Sequence, residues 1–487
     1  MNFHIAVDIG ASSGRIILGH IENEKLILKQ VYRFRNDFFE ENGLKKWNID
    51  ELIKEIFTGL SMINYQKMNN VTLGIDTWGV DYVFVNNKGK KISNPVCYRD
   101  SRADKKFQEI TDKLTKEKIY AKTGIQFQKF NTIYQLSSES QNTISDVDKV
   151  LLIPDYINYV LTGKMVTEAT NASTTQLVNL ASEDFDEELL KAIGLKKEQF
   201  AKIVEPGTVL GTIKEKYRRE YKLPKIQIVC VGSHDTASAV AGIPAFGKNW
   251  AYISSGTWSL LGTEEKFPNT TQEAFDGNYT NERGVNHSIR FLKNIMGMWI
   301  VQRIKKENFN NFSFQGMADE AEKFLPFQQF IDINDSVFLS PKNMLLTLKN
   351  YCVGTSQKVP RELGEIMMCI YSNLALYYAN EIQRIQRISR KTINNLFIVG
   401  GGCNIDLLNQ LTADVTGIEV IAGPSEATAA GNIITQMLET KEVSSITAGR
   451  KLIVNSLPVK RYKPATFNSD ILKKYQLFLK EKGDLND

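Results

Sequence analysis

Phe3-His4-Ile5-Ala6-Val7-Asp8-Ile9, followed by Gly10-Ala11-Ser12-Ser13-Gly14-Arg15, is an alternating apolar run that ends in a glycine- and hydroxyl-rich turn. Alternation predicts a strand and the turn predicts a hairpin. The same unit recurs along the chain. Val71 to Ile75 leads into Asp76-Thr77-Trp78-Gly79, and Ile226 to Val231 into Gly232-Ser233-His234-Asp235. Ala251 to Ser254 leads into Ser255-Gly256-Thr257, and Leu396 to Val399 into Gly400-Gly401-Gly402. Helical patterning fills the intervals. It is clearest from about Arg361 to Arg390, where Ile366, Ile370, Leu374, Tyr378, Ile382 and Ile385 share a face and Pro360 sits near the start. Asp235 to Gly242 is rich in small residues, which suits a helix that packs closely or whose N-terminus faces a ligand. Strands alternating with helices in both halves give an α/β protein. The informative polar residues sit at the carboxyl ends of the strands, where open α/β sheets bind ligands.

The chain has 487 residues, too many for one hydrophobic core, since cores stop growing beyond about 250–300 residues. Gly242-Ile243-Pro244-Ala245-Phe246-Gly247 punctuates the middle, so we expect two domains, 1–242 and 243–487, each opening with a strand and a Ser/Gly/Thr hairpin. This two-copy plan predicts a central cleft, a common place for ligands. Hydrophobic residues make up 42% and charged residues 24%, ordinary for a globular protein. The net charge of +5 comes from interspersed charges with no basic run, which argues against a nucleic-acid partner. No apolar stretch reaches transmembrane length, and Met1-Asn2-Phe3-His4 has no secretory character, so a cytoplasmic location with no membrane partner is expected. Five cysteines without a C-x-x-C pair, and four histidines, disfavour structural zinc. Cys352 precedes a Gly/Pro loop and Cys369 lies in the helix that follows. A disulfide between them is geometrically open, although a reducing compartment favours free thiols.

In Asp8 to Arg15, glycines allow close backbone approach to a phosphate, N–H and hydroxyl groups donate to it, and Arg15 adds charge. Asp8 can hold Mg²⁺, usually through water. A plain turn with Asp and Ser as turn residues is the competing reading. Ser255-Gly256-Thr257 repeats the hairpin chemistry, and two such hairpins suit a nucleoside triphosphate. Gly400-Gly401-Gly402 offers a surface without side chains for adenine or ribose, or a helix entry capped by Asn404. Asp76 to Asp81 and Tyr98-Arg99-Asp100-Ser101-Arg102 combine aromatic faces with polar groups, as a sugar needs. The second segment also reads as a surface ion-pair turn. Asp235, where strand gives way to helix, can deprotonate a sugar hydroxyl attacking a γ-phosphorus, or can simply cap the helix. The helix dipole would keep it ionised at neutral pH. Asp76 and Asp100 are the next candidates for the base. P-loop, dinucleotide and protein-kinase signatures are absent.

Taken in order, DIGASSGR (8–15), GIDTWGVD (74–81), YRDSR (98–102), GSHDTASAV (232–240), ISSGTWSL (253–260) and FIVGGGCN (397–404) resemble the FGGY carbohydrate kinases, members of the actin/hexokinase/Hsp70 ATPase superfamily. DTWGVD, YRDSR with HDTASAV, and SSGTWSL followed by Asn294-Ile295-Met296-Gly297-Met298-Trp299 most resemble the branch that phosphorylates L-rhamnulose at its 1-hydroxyl with MgATP, a step of L-rhamnose breakdown. The resemblance implies two ribonuclease-H-like domains. It implies ATP contacts at Ala11, Ser12, Ser13, Gly14, Arg15, Thr257, Gln302 and Gly401. It implies sugar contacts at Gly79, His234, Asp235, Thr236 and Asn294, with Asp235 the general base. The substrates expected are ATP and a ketose, with the oligomeric state open. The rival readings are an FGGY kinase acting on L-fuculose, L-xylulose or glycerol, and a non-catalytic actin-like or Hsp70-like ATPase.

Overall fold

The computed structural model describes residues 2–66 and 68–484. Met1, part of the N-terminal stretch read above, lies outside the described residues. Chain contacts divide the protein into two units. One comprises Met1–Pro244, Glu264–Phe291 and Ala427–Leu457; the other comprises Ala245–Thr263, Leu292–Glu426 and Pro458–Asp487.

The first unit is built on a sheet of β1 (Asn2–Ile9), β2 (Ser13–Glu22), β3 (Lys25–Arg35), β4 (Asn70–Thr77), β5 (Val209–Thr212) and β6 (Gln227–Val229), in the order β5-β6-β4-β1-β2-β3. β1 pairs antiparallel with β2 and parallel with β4; β4 is parallel to β6, and β6 antiparallel to β5. The period-two alternation of β1 separates its side chains. Ile5, Val7 and Ile9 enter one apolar core with Leu73, Ile75 and Trp47, while Ala6 joins another with Ile433, Ile434 and Met437. Those last residues lie on the helix Ala427–Glu439. Asp8, two residues from Ala6, therefore points to the helix-covered face, as does its parallel neighbour Asp76.

The helix Asp235–Ala241 crosses Ala427–Glu439 at backbone contact. A Cβ at Gly431 would overlap the Ser238 carbonyl, and one at Gly242 would overlap that of Ala427. Of the two readings of this small-residue segment, close packing is thus realised. Its Asp235 is the first helical residue, and His234 occupies the cap position without a side-chain capping bond.

A second, seven-stranded sheet contains β7 (Trp250–Ser255), β8 (Trp258–Glu265), β9 (Ile289–Met296), β10 (Asn395–Val399), β11 (Glu419–Ala422) and β12 (Lys460–Tyr462), in the order β9-β8-β7-β10-β11-β12, with the short strand Thr280–Arg283 beside β9 at the edge. β7 is antiparallel to β8 and parallel to β10; β10 is parallel to β11, and β11 antiparallel to β12. Hairpin, two parallel additions and an antiparallel edge repeat the plan of the first sheet. The long apolar pattern forms the helix Leu363–Ser389, whose entry is fixed by a capping box between Glu362 and Glu365. Cys352 and Cys369 do approach each other. Their thiols share a hydrogen bond that lowers the Cys352 pKa and raises that of Cys369, and both remain free. Among the described residues, no helix is long and apolar enough to cross a membrane.

Candidate active site

The register of β1 and its neighbours assembles an acidic centre in the first unit. Asp8 lies opposite Arg15 on β2 and beside Asp76 on β4. Arg15 Nη2 donates to Asp8 Oδ2 at 2.5 Å, so in this structure the arginine serves the aspartate. Asp76 is fully buried. Its Oδ2 accepts from Asn432 Nδ2 at 2.6 Å, while Oδ1 is buried without a partner. Burial first, and then the charge of Asp8, pushes the Asp76 carboxyl well above the usual range. Asp235 adds a third negative charge to this neighbourhood.

Asp235 is brought alongside by backbone pairing. Thr77 N donates to Ser233 O at 2.9 Å, which extends the sheet edge past β6 and sets His234 against Thr77. A third of the Asp235 side chain reaches solvent, yet desolvation by the surrounding protein is the main cause that raises its pKa, and the charge of Asp8 adds to it. Burial thus works against the helix dipole, which was expected to favour the carboxylate. Thr236 Oγ1 donates to Asp235 Oδ1 at 3.0 Å, and His234 Nε2 stands 3.5 Å from the same oxygen.

The loop after β4 is held from below. Asp81 is buried, and its Oδ2 accepts the indole N–H of Trp47 at 2.7 Å, that of Trp78 at 2.9 Å and the Tyr98 amide at 3.2 Å, while Oδ1 accepts from Gln135 at 3.0 Å. Gly79 sits between Trp78 and Asp81, close to Thr174. In the hairpin turn, Gly10 N donates to Ser13 O, and Asn36 clasps the turn through Gly10 O and Ser12 O. Gly14 is required by packing, since a Cβ there would overlap the Phe34 ring. The Arg99–Arg102 segment is tied into the protein by its own bonds. Asp100 accepts from the amides of Arg102 and Lys45, Arg102 pairs with Glu139, and Arg99 lies over the Tyr98 ring at 5.4 Å. Asp100 is thereby committed to backbone amides.

In the second unit, the turn Ser255-Gly256-Thr257 docks on the start of the helix Trp299–Asn308. Met298 N and Trp299 N donate to the carbonyls of Gly256 and Thr257, and Thr257 Oγ1 donates to Gln302 Oε1 at 3.2 Å. The triple-glycine turn lies against the same hairpin. Gly400 has φ +80°, and a Cβ on it would come within 2.8 Å of Ser255 O; a Cβ on Gly402 would overlap Ser255 Oγ. Thr257, Gln302 and Gly401 are thus gathered around one hairpin. Asn294 lies on β9, where its carbonyl accepts from Asn334 Nδ2 at 3.4 Å. Asn404 is not a helix cap: the helix Asp406–Thr416 is preceded by Ile405, and Asn404 closes the glycine turn by donating to Gly401 O at 3.4 Å.

Sequence reasoning missed the buried partners. Glu168, fully buried, accepts from Ser233 N, Ser233 Oγ, Thr170 N, Thr170 Oγ1 and Asn171 N, at 2.6 to 3.1 Å, and so holds the segment that carries Asp235. Arg290 and Glu282 back His234. Arg290 left a signal, a lone cation inside the apolar run Ile289-Arg290-Phe291-Leu292; Glu168 left none that distinguishes it from a surface cap. Among the described residues, no group of three or more His, Cys, Asp or Glu side chains is placed to hold a metal ion.

Two family models match the chain. That of the N-terminal domain of the FGGY family of carbohydrate kinases covers residues 3–242, and that of the C-terminal domain covers residues 251–440. The chain is 51% identical to a rhamnulokinase of Ligilactobacillus salivarius over 99% of its own length and 100% of that protein. It is 48% identical to a rhamnulokinase of Bacillus subtilis, covering 97% of this chain and 98% of the relative. Among solved structures, a ligand-bound xylulose kinase from Lactobacillus acidophilus superposes with a TM-score of 0.80 at 18% identity, covering 100% of this chain and 99% of that one. A Plasmodium falciparum glycerol kinase with ADP superposes at 0.78 and 16% identity, covering 99% and 98%. These likenesses show the two-domain actin-like ATPase fold. With both family models matched and relatives near half identical end to end, the chain belongs to the FGGY family of carbohydrate kinases, ATP-dependent sugar kinases, and within it to the rhamnulokinase group.

Proposed function

We propose that this protein transfers the γ-phosphoryl group of ATP to the 1-hydroxyl of L-rhamnulose, giving L-rhamnulose 1-phosphate and ADP, as a step of L-rhamnose breakdown in the cytoplasm. The observation that carries the choice of sugar is the near-50% identity, over almost the whole chain, to relatives named rhamnulokinase.

Asp235 is the general base in this reading. Its carboxylate accepts the hydroxyl proton as the oxygen attacks the γ-phosphorus. Burial raises its pKa and so makes it a stronger proton acceptor than an exposed aspartate. Gly79, His234, Thr236 and Asn294 are assigned to the sugar. Ala11, Ser12, Ser13, Gly14 and Arg15, in the domain 1–242, are assigned to the phosphates; Thr257, Gln302 and Gly401, in the domain 243–487, are assigned to the nucleotide. Mg²⁺, when bound with ATP, would supply positive charge against the charge that develops on the phosphates. The unpaired Asp76 Oδ1 and the adjacent Asp8 fit a hydrated cation, with Asp8 holding it through water. On ATP binding, Arg15 can exchange its bond to Asp8 for a phosphate oxygen.

A coupled assay of sugar-dependent ADP release across ketoses tests this reading. L-rhamnulose should be the best substrate and L-fuculose a weaker one. Faster turnover of glycerol or D-xylulose would leave the kinase but overturn the sugar, and ADP release independent of sugar would favour an Hsp70-like ATPase.

A further inference from the structure

His234 is wedged between a buried ion pair and the carboxylate proposed as base. All four residues belong to the first unit. Arg290, on β9, has no solvent exposure, and Glu282, on the short strand Thr280–Arg283, is also buried. Arg290 Nη1 stands 3.0 Å from Glu282 Oε2, and Arg290 Nε donates to Arg283 O at 3.0 Å, which fixes the plane of the guanidinium. The remaining nitrogen, Nη2, lies 3.1 Å from His234 Nδ1. Glu282 Oε2 is farther from that ring nitrogen, at 3.4 Å. On the other edge of the ring, Nε2 is 3.5 Å from Asp235 Oδ1. His234 N donates to Thr170 Oγ1 at 3.2 Å, so the backbone of the residue is held as well.

We infer that Arg290 is a positioning residue that sets the tautomer of His234: its guanidinium donates to Nδ1, which leaves the ring neutral with its proton on Nε2, facing Asp235 and the sugar.

The chemistry is one-sided. A guanidinium nitrogen can donate but cannot accept, so a bond between Nη2 and Nδ1 requires the lone pair on Nδ1. In a neutral imidazole the proton then sits on Nε2. The competing partner is Glu282, which could accept a proton from Nδ1, but its Oε2 stands 3.4 Å from that nitrogen, farther than Arg290 Nη2 at 3.1 Å. Three charged groups face the ring: Arg290 and Glu282 at one edge, Asp235 at the other.

The consequence for catalysis has two parts. A positive ring beside Asp235 would stabilise the carboxylate and weaken it as a base; a neutral one does not. An Nε2–H that stands 3.5 Å from Asp235 makes no tight bond there, so it can donate to a sugar oxygen instead. The catalytic part of this inference rests on Asp235 being the base; the tautomer does not.

The chain has only four histidines, His4, His20, His234 and His287, so its ¹⁵N-histidine spectrum can be assigned against His234→Asn. Near neutral pH, His234 should show an unprotonated Nδ1 and a protonated Nε2. An Nδ1–H ring or an imidazolium would overturn the inference, whatever sugar the enzyme prefers. The double variant Arg290→Met/Glu282→Gln removes both charges together and avoids stranding one of them. It should lose the single tautomer and lower kcat by about 10- to 100-fold, less than the full ~10²–10⁴-fold worth of a general base, with KM for ATP unchanged. Retention of both the tautomer and kcat would overturn the role of Arg290. If the variant fails to fold, the native spectrum still decides. A failed ketose panel with the Nε2–H tautomer intact would sink the sugar assignment alone.

Discussion

At the carboxyl ends of its central strands the first sheet carries Asp8, Asp76 and, in the segment beyond β6, Asp235. At the corresponding ends the second sheet carries Ser255, the Gly400-Gly401-Gly402 turn and Gly423. The strand order of the first sheet recurs in the second, which adds only the edge strand Thr280–Arg283, so the backbone alone does not account for the difference. At one set of strand ends the charge of Asp8 helps to raise the pKa of Asp76 and Asp235, and in the proposed function these carboxylates would provide a base and a cation partner. Glycine and hydroxyl groups at the other set provide backbone amides and close approach without charge, which suits a nucleotide base and ribose. In the proposed function, one topology, used twice, would separate proton and phosphoryl chemistry from nucleotide holding.

The largest effect that separates the two halves should come from Asp235→Asn. Because Asp235 is the first helical residue and not the cap, the change should leave the fold intact. Sugar-dependent ADP release should fall by ~10²–10⁴-fold, and near-normal turnover would return Asp235 to a structural role. Next, Asp8→Ala should release Arg15 and remove the acidic partner of Asp76. Turnover should drop by roughly 10- to 100-fold, a smaller loss than that of the base, and the Mg²⁺ concentration for half-maximal rate should rise. A magnesium titration that superposes on that of the native protein would reduce Asp8 to a turn residue. On the neutral side, Gly402→Ala would press a methyl group into Ser255 and displace the glycine turn. Its KM for ATP should rise about tenfold, equivalent to ~1.4 kcal/mol, while KM for the sugar holds. The smallest effect is a displacement of pH dependence. Asp235 acts as the carboxylate, so the rate is lost as pH falls through its pKa; because burial raises that pKa, the acid limb of kcat/KM should lie above the ~3.9 of an ordinary aspartate. A limb at or below that value would contradict the raised pKa.

Much of this architecture is legible in the chain because it depends on local patterns. The alternation of Phe3 to Ile9 and the serine–glycine turn after it are enough to give β1 and its hairpin. The face of the helix Leu363–Ser389 is equally visible in its spacing. What stays hidden is whatever depends on contacts made far along the chain. That the helix Ala427–Glu439 returns to pack on β1 is invisible in its own residues, whose small side chains would suit many surfaces. Likewise Glu168 reads as an ordinary helix cap until Ser233, 65 residues away, is seen to donate to it twice. The direction of the Asp235 pKa shift is hidden for the same reason: the helix dipole is a local property, whereas desolvation comes from everything packed around it.

The sharpest measurement is calorimetric titration of ATP into the Asp235→Asn and Gly402→Ala proteins side by side, paired with phosphorylation of L-rhamnulose at saturating ATP. Asp235→Asn should bind ATP as tightly as the native protein and phosphorylate almost nothing. Gly402→Ala should bind ATP more weakly and still phosphorylate the sugar once saturated. If Asp235→Asn loses ATP affinity to the same degree as Gly402→Ala, or turns over sugar normally, the division between an acidic chemical half and a neutral nucleotide half is wrong.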